Sequence, residues 1–294
     1  IAIGKNSLTA LTSGVRNLGI GYLALQSITQ GDANVAIGFH ALQAMAATDG
    51  NDNNTAIGTY AMQAAGASSN VAADNTTVGF QSGYAITSGD NNTLLGSNAG
   101  VAITTGSSNI AVGKGALDAI TDAAQIIGIG ENAGGALASS TSNGTIAIGH
   151  YALSVLSGAV AGNVVIGKQA GQNTTGGNNT YVGLSAGLGA SGADSENVGI
   201  GKDSLYDITS ASGVTAVGTE SAYNITSGSE SVAIGKQALY TATTVGANTA
   251  VGYQALKLST AASNTAIGHS ALAANVSGTN NIAIGKGAIA TASG

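Results

Sequence analysis

An aliphatic residue followed by glycine recurs along the entire chain, and this recurrence limits the fold more than any other feature. The glycine falls at Gly4, Gly21, Gly38, Gly58, Gly79, Gly96, Gly113, Gly130, Gly149, Gly167, Gly183, Gly201, Gly218, Gly235, Gly252, Gly268 and Gly285. Successive copies are 16 to 21 residues apart, most often 17. A fixed period of this length marks a stacked-repeat architecture, in which each repeat is one structural unit that cannot stand alone. The array fills the 294 residues, so the expectation is a single continuous domain, residues 1–294.

Aligning the copies on the glycine gives columns of uniform chemistry. The minus-one column is always aliphatic. The minus-three column is β-branched except at Leu18, and the minus-two column is Ala or Gly in 13 of 17 copies. The minus-four column is Asn at Asn17, Asn34, Asn54, Asn75, Asn92, Asn109, Asn163, Asn179, Asn197, Asn248, Asn264 and Asn281. The plus-three column is Ala or Ser throughout, the next residue is mostly Leu or Gly, and a polar stretch often ending in Thr-[Ser/Thr]-Gly follows.

Alternation of period two from the Asn to the Gly predicts a strand, with β-branched side chains on one face and Ala on the other. Glycine then permits a tight bend. The Ala-Leu pair opens a second short element, either a strand or one helical turn, and the Thr-[Ser/Thr]-Gly segment reads as the return turn. The predicted fold is an all-β parallel β-solenoid of about 17 coils, one per repeat of about 17 residues. One coil buries too few aliphatic groups to offset its ordering entropy, so stacking is obligatory. Internal strands have no place for proline, and the chain has none.

The minus-one column, represented by Ile3, Ile20, Ile37, Ile57, Val112, Ile148, Ile166, Ile234, Ile267 and Ile284, is expected to form the buried core. The Asn column is expected to form a coil-to-coil ladder of side-chain hydrogen bonds. The Ala/Gly column is expected to leave a flat face that another chain approaches closely.

Composition narrows function. Charged residues are 7% and net charge is −6, with eight basic residues spread along the chain. No basic patch exists for phosphate, so nucleic acid is not an expected partner. No apolar run reaches the roughly 18 residues of a membrane span. Cysteine is absent, so no disulfide staples the fold.

A search for catalytic or metal chemistry yields little. His40, His150 and His269 lie more than 100 residues apart in sequence. Each reads as an exposed coil-edge residue, with a metal-binding ring across a threefold axis as the alternative. Six of the seven lysines, Lys5, Lys114, Lys168, Lys202, Lys236 and Lys286, occupy the plus-one column, which also holds Tyr22, Phe39, Phe80, Glu131 and Tyr253. Such variety marks an outward ridge. Asp49-Gly50-Asn51-Asp52-Asn53-Asn54 superficially resembles a Ca²⁺ loop but lacks the terminal Glu and ligand spacing of one. Glycan recognition by the Asn row and ice binding by Thr in the minus-three column are weaker readings. No acid–base pair of a polysaccharide-cleaving solenoid is found. No enzyme activity and no cofactor are expected.

Asn248–Leu256 (NTAVGYQAL), Asn264–Leu272 (NTAIGHSAL) and Ser231–Leu239 (SVAIGKQAL) resemble the repeats of bacteriophage tail fibres and of YadA-type heads of trimeric autotransporter adhesins. The resemblance covers the whole chain, although the coil here is longer than the autotransporter repeat. It implies a homotrimeric, extracellular fibre of parallel β-rolls, on a virion tail or a cell surface, that attaches to a host or surface receptor, glycans included. A self-assembling solenoid filament or coat scaffold is the alternative. Because the terminal strand segments themselves carry no charge, Pro or bulge to blunt an edge, the polypeptide is expected to continue beyond both ends or to stack into a longer filament.

Overall fold

The computed structural model describes residues 1–45, 50–64, 71–135, 137, 142–154, 161–189, 192 and 194–289. The chain is an all-β parallel solenoid, and it divides into two compact units, Ile1–Thr145 and Ile146–Gly294. Both carry the same repeat.

The first unit contains β1 (Ala2–Ile3), β2 (Leu18–Ile20), β3 (Val35–Ile37), β4 (Thr55–Ile57), β5 (Thr76–Val78), β6 (Thr93–Leu95), β7 (Ile110–Val112) and β8 (Ile127–Ile129). The second contains β9 (Ile146–Ile148), β10 (Val164–Ile166), β11 (Thr180–Val182), β12 (Val198–Ile200), β13 (Thr215–Val217), β14 (Val232–Ile234), β15 (Thr249–Val251), β16 (Thr265–Ile267) and β17 (Ile282–Ile284). Within each unit every strand pairs in parallel with the next, in a register that puts column on column: Val35 faces Thr55, Ala36 faces Ala56 and Ile37 faces Ile57. The register holds through the longer first-unit coils as well, with Ile57 facing Val78.

Apart from the two-residue β1, the strands are three residues long, yet the ladder runs well beyond them. The plus-two amide of His40 donates to Tyr22 O of the coil before (2.9 Å), and the plus-four amide of Leu25 donates to Ala41 O of the coil after (3.1 Å). Both directions are reached because the plus-two, plus-four and minus-five positions adopt positive φ, as at His40 (58°), Leu42 (50°) and Ala33 (57°). The second element is therefore neither strand nor helical turn. It is a hydrogen-bonded turn that keeps its amides along the stacking direction. At the anchor, Gly38 has φ 141°, and a Cβ there would overlap the carbonyl of Gly58 in the next coil. That column has no alternative to glycine.

The structure reverses the expected inside and outside of the strand. The minus-two residues Ala36, Ala56, Ala111, Ala147, Ala216, Ala233, Ala250 and Ala266 are fully buried. The minus-one residues point outward. Ile57, Ile166, Ile234 and Ile267 are 37 to 40% exposed, Ile3 is 56% and Ile284 70% exposed, and Ile20, Ile37, Val112 and Ile148 are half-buried. Period two specifies two faces but not which one is inside. Volume decides here: the lumen of so short a coil already holds the plus-three Ala or Ser and the plus-four Leu. A Cβ on the minus-two Gly19 would overlap Ser7 Oγ. The small-residue column is thus the lumen wall, and not a face offered to another chain.

Two further features of the core follow from this narrow lumen. The plus-seven column, inside the nominally polar stretch, is buried: Ile28, Met45, Ile86, Ile103, Ile120, Leu137 and Ile225 are all fully enclosed. The plus-four and minus-two columns also share one volume. Where plus-four is Leu, minus-two is Ala, as for Leu42, Leu117 and Leu256, or Gly, as for Leu25 and Leu205. Where plus-four is Gly83, Gly100, Gly171 or Gly187, minus-two is Thr77, Leu94, Val165 or Tyr181. A Cβ on Gly100 would come within 2.9 Å of Leu94 Cδ2, so the two bulky choices exclude each other.

Candidate interaction surface and polar ladders

The Asn ladder forms as expected from the sequence. In the minus-four column Asn34, Asn54, Asn75, Asn92, Asn109, Asn163, Asn179, Asn197 and Asn264 are fully buried. Each Oδ1 accepts the backbone amide of the minus-four residue one coil on, at 2.7 to 3.1 Å, as Asn17 does from Asn34, Asn75 from Asn92, Asn163 from Asn179 and Asn264 from Asn281. Nδ2–H donates to a carbonyl of the next coil's return turn, as Asn17 does to Gly31 O (2.7 Å) and Asn248 to Ala261 O (3.1 Å), except at Asn264, which donates to Ala262 O (3.1 Å) in the turn just before it. The column needs one acceptor and one donor on a short, neutral side chain, and Asn supplies both. Where Asn is replaced by Ser231, its Oγ accepts the Asn248 amide (3.2 Å).

A second ladder lies in the minus-six column. Asp32, Asp52 and Asp90 accept through Oδ1 the amides of Val15, Asp32 and Ala73 in the preceding coil, at 2.7, 2.7 and 2.8 Å. Mixed Asp, Asn, Ser and Ala residues hide this column in the sequence. It explains the Ca²⁺-loop-like run: Asp52 holds a turn amide, Asn53 donates to Asp74 (3.1 Å), and Asp49 lies outside the described residues. Among the described residues no three His, Cys, Asp or Glu side chains come together to hold a metal ion.

The histidines are separate. His40 sits among Phe39, Tyr22 and Tyr60, with Nδ1 2.5 Å from Gln43 Oε1. His150 contacts Tyr151, and His269 stacks on Tyr253 at 4.9 Å. The six plus-one lysines are all exposed, as an outward ridge requires.

One interior coil departs from the rest. Tyr181 occupies the minus-two position and is fully buried, filling room left by Gly171, Gly187 and Gly199, where a Cβ would meet its ring. Its hydroxyl donates to Asp194 Oδ2 at 2.5 Å, and Asp194 is 1% exposed. Burial raises the Asp194 carboxyl to about 6 from the ordinary 3.8, against the lowering effect of the Tyr181 hydrogen bond and nearby amides. A raised folded-state value means that the folded chain holds the proton more tightly than the unfolded chain does. The contribution is therefore fully present below the ordinary value and is lost as pH rises through about 6, amounting to about 3 kcal/mol. Replacing Asp194 by Asn keeps an acceptor for the Tyr181 hydroxyl and removes the charge. Chemical denaturation of D194N should show a gain over the parent of about that size at neutral pH. Equal stabilities at neutral pH would refute this assignment.

The surface feature with the greatest functional content is the outward face of the strands. In the second unit the minus-one column sets Ile166, Val182, Ile200, Val217, Ile234, Val251 and Ile267 side by side, with Ile200, Ile234 and Ile267 each 40% exposed, next to a minus-three column in which Val164, Val198 and Val232 alternate with Thr180, Thr215 and Thr249. The same columns in the first unit present Ile37, Ile57, Val78, Ile110 and Ile129. The minus-one column is a contiguous aliphatic stripe on a regular parallel sheet, and the minus-three column beside it mixes Thr with Val and Ile and is likewise free of charge. Soluble monomers rarely expose patches of this kind. No helix among the described residues is long and apolar enough to cross a membrane. No family model matches the chain, and no curated protein matches it.

Proposed function

We propose that the chain is a segment of a structural or adhesive extracellular fibre, on a virion tail or a cell surface, in which three copies pack in parallel through the outward aliphatic columns. The carrying observation is the exposed minus-one column, repeated at the same place in coil after coil. Unlike a scattered surface leucine, a regular stripe is complementary to a second copy of itself in register. A closed ring of identical chains covers it with no edge left over. The repeat resemblance in Asn248–Leu256 and Asn264–Leu272 supports the same reading. The contacts fall on the β-branched columns, because the alanines are used inside. The exposed ridge of plus-one residues, with its lysines and aromatic rings, remains available for a receptor, glycans among them.

Light scattering over the micromolar range tests this reading. The expected mass is three times the 28.1 kDa of the chain, independent of concentration. A mass that keeps growing with concentration would favour an open filament, and a 28.1 kDa particle would overturn the proposal.

A further inference from the structure

The plus-five column of the second unit carries Tyr206, Tyr223 and Tyr240, each 17 residues from the next. Their rings stack. Tyr206 and Tyr223 have centroids 4.8 Å apart with planes 4° apart, and Tyr223 and Tyr240 are 5.1 Å and 22° apart. The backbone fixes this arrangement, since Asp207 N donates to Tyr223 O (3.0 Å) and Asn224 N to Tyr240 O (3.1 Å). All three side chains are half-buried, so the ring edges meet solvent while the faces cover one another. Among the described residues these are the only contacts between two tyrosine rings; Tyr22 and Tyr60 neighbour Phe39 and His40 instead.

We infer that Tyr206, Tyr223 and Tyr240 form an oxidative cross-linking site, at which a diffusible one-electron oxidant joins adjacent coils through a dityrosine bond. The chemistry balances as follows. Two phenols each give one electron to the oxidant and one proton to water. The two phenoxyl radicals combine between ring carbons ortho to oxygen. Each coupled ring carbon then loses its hydrogen as a proton while its phenol oxygen regains one. Two electrons and two protons leave, and the linked chain is lighter by two hydrogen atoms. Stacking holds the second ring in contact with the first radical, so coupling is an intramolecular step with no diffusional search. Asp203 and Asp207 are near enough to raise the Tyr223 phenol, whose burial is the main cause of that rise. The same negative charges favour removal of an electron from the ring. In a chain without cysteine, this ladder supplies the covalent coil-to-coil staple that disulfides supply elsewhere.

The test is brief photo-oxidation of the dilute full chain with a ruthenium(II) tris-bipyridyl complex and persulfate, followed by peptide mass spectrometry. Cleavage after Glu220 separates Tyr206 from Tyr223, and cleavage after Lys236 separates Tyr223 from Tyr240. The expected products are these two linked peptide pairs, each short of two hydrogens. They should form within one chain when isotopically heavy and light chains are mixed, and should be lost when the chain is unfolded in urea. Y223F should abolish both products, whereas Y240F should remove one and keep the Tyr206–Tyr223 link. The inference is overturned if neither link forms, if links form only between chains, if urea leaves their yield unchanged, or if Y223F does.

Discussion

Replacing Asn92 by Asp should unfold the first unit's stack locally or destabilise it by about 3–5 kcal/mol, far more than the loss of one surface hydrogen bond would. Asn92 is fully buried, and its Oδ1 accepts the Asn109 amide at 3.0 Å. Its Nδ2–H donates to Asn75 Oδ1 (3.0 Å) and to Gly106 O (2.9 Å). Aspartate is nearly the same shape. It keeps the acceptor, loses both donors and places a carboxylate against Asn75 Oδ1 and the Gly106 carbonyl with no cation near. N92A should cost less, about 2–3 kcal/mol, because it leaves the Asn109 amide and the Gly106 carbonyl without the Asn92 side chain but adds no charge, and Asn75 Oδ1 keeps the backbone amide of residue 92. Denaturant unfolding followed by circular dichroism checks the order parent, N92A, N92D. If N92D were as stable as the parent at neutral pH, the ladder would contribute nothing.

The second large effect concerns association. I200K combined with I234K places two ammonium groups on the outward face of β12 and β14. Both positions are 40% exposed in the single chain, so each coil should tolerate the change, with the interior at Gly199 and Ala233 untouched. Packed against two other copies, each lysine would lose water without gaining a counter-charge, at about 3–5 kcal/mol per buried unpaired charge. Association should weaken by more than about a hundredfold, giving a monomer with an unchanged far-ultraviolet spectrum. A double variant that still scatters as three chains would place the interface elsewhere.

These predictions also show how far the sequence could be read. The anchor glycine and the Asn column are legible because each position accepts one chemistry: positive φ against a neighbouring carbonyl at Gly38, a paired donor and acceptor at Asn92. The parallel, in-register stacking follows from them. The orientation of the strand does not, because alternation is symmetric under exchange of faces. Apolarity suggested that Ile57 belongs inside, but the lumen takes only Ala56, with Met62 filling the rest. The plus-seven column has no uniform signature in the sequence because its members share burial but neither polarity nor volume. Ile86 and Ile103 there give way to Thr174, Ser259 and Asn275, all buried. The turn is not distinguishable in the sequence from a strand or a helical turn, because its left-handed positions are held by Leu25, His40 and Gln81 as well as by glycine and so carry no consistent marker.

The most direct test of the account uses the absence of cysteine, which makes single-cysteine labelling unambiguous. Ala216 and Val217 are adjacent on β13, one facing the lumen and one facing outward. In A216C the thiol should resist maleimide until the chain unfolds, whatever the protein concentration. In V217C it should be protected in the assembled protein and should react once I200K and I234K are added to separate the copies. A Val217→Cys thiol that reacts freely in the assembled protein would show that the outward face is uncovered, and one that stays inert in the separated chain would return the aliphatic column to the interior.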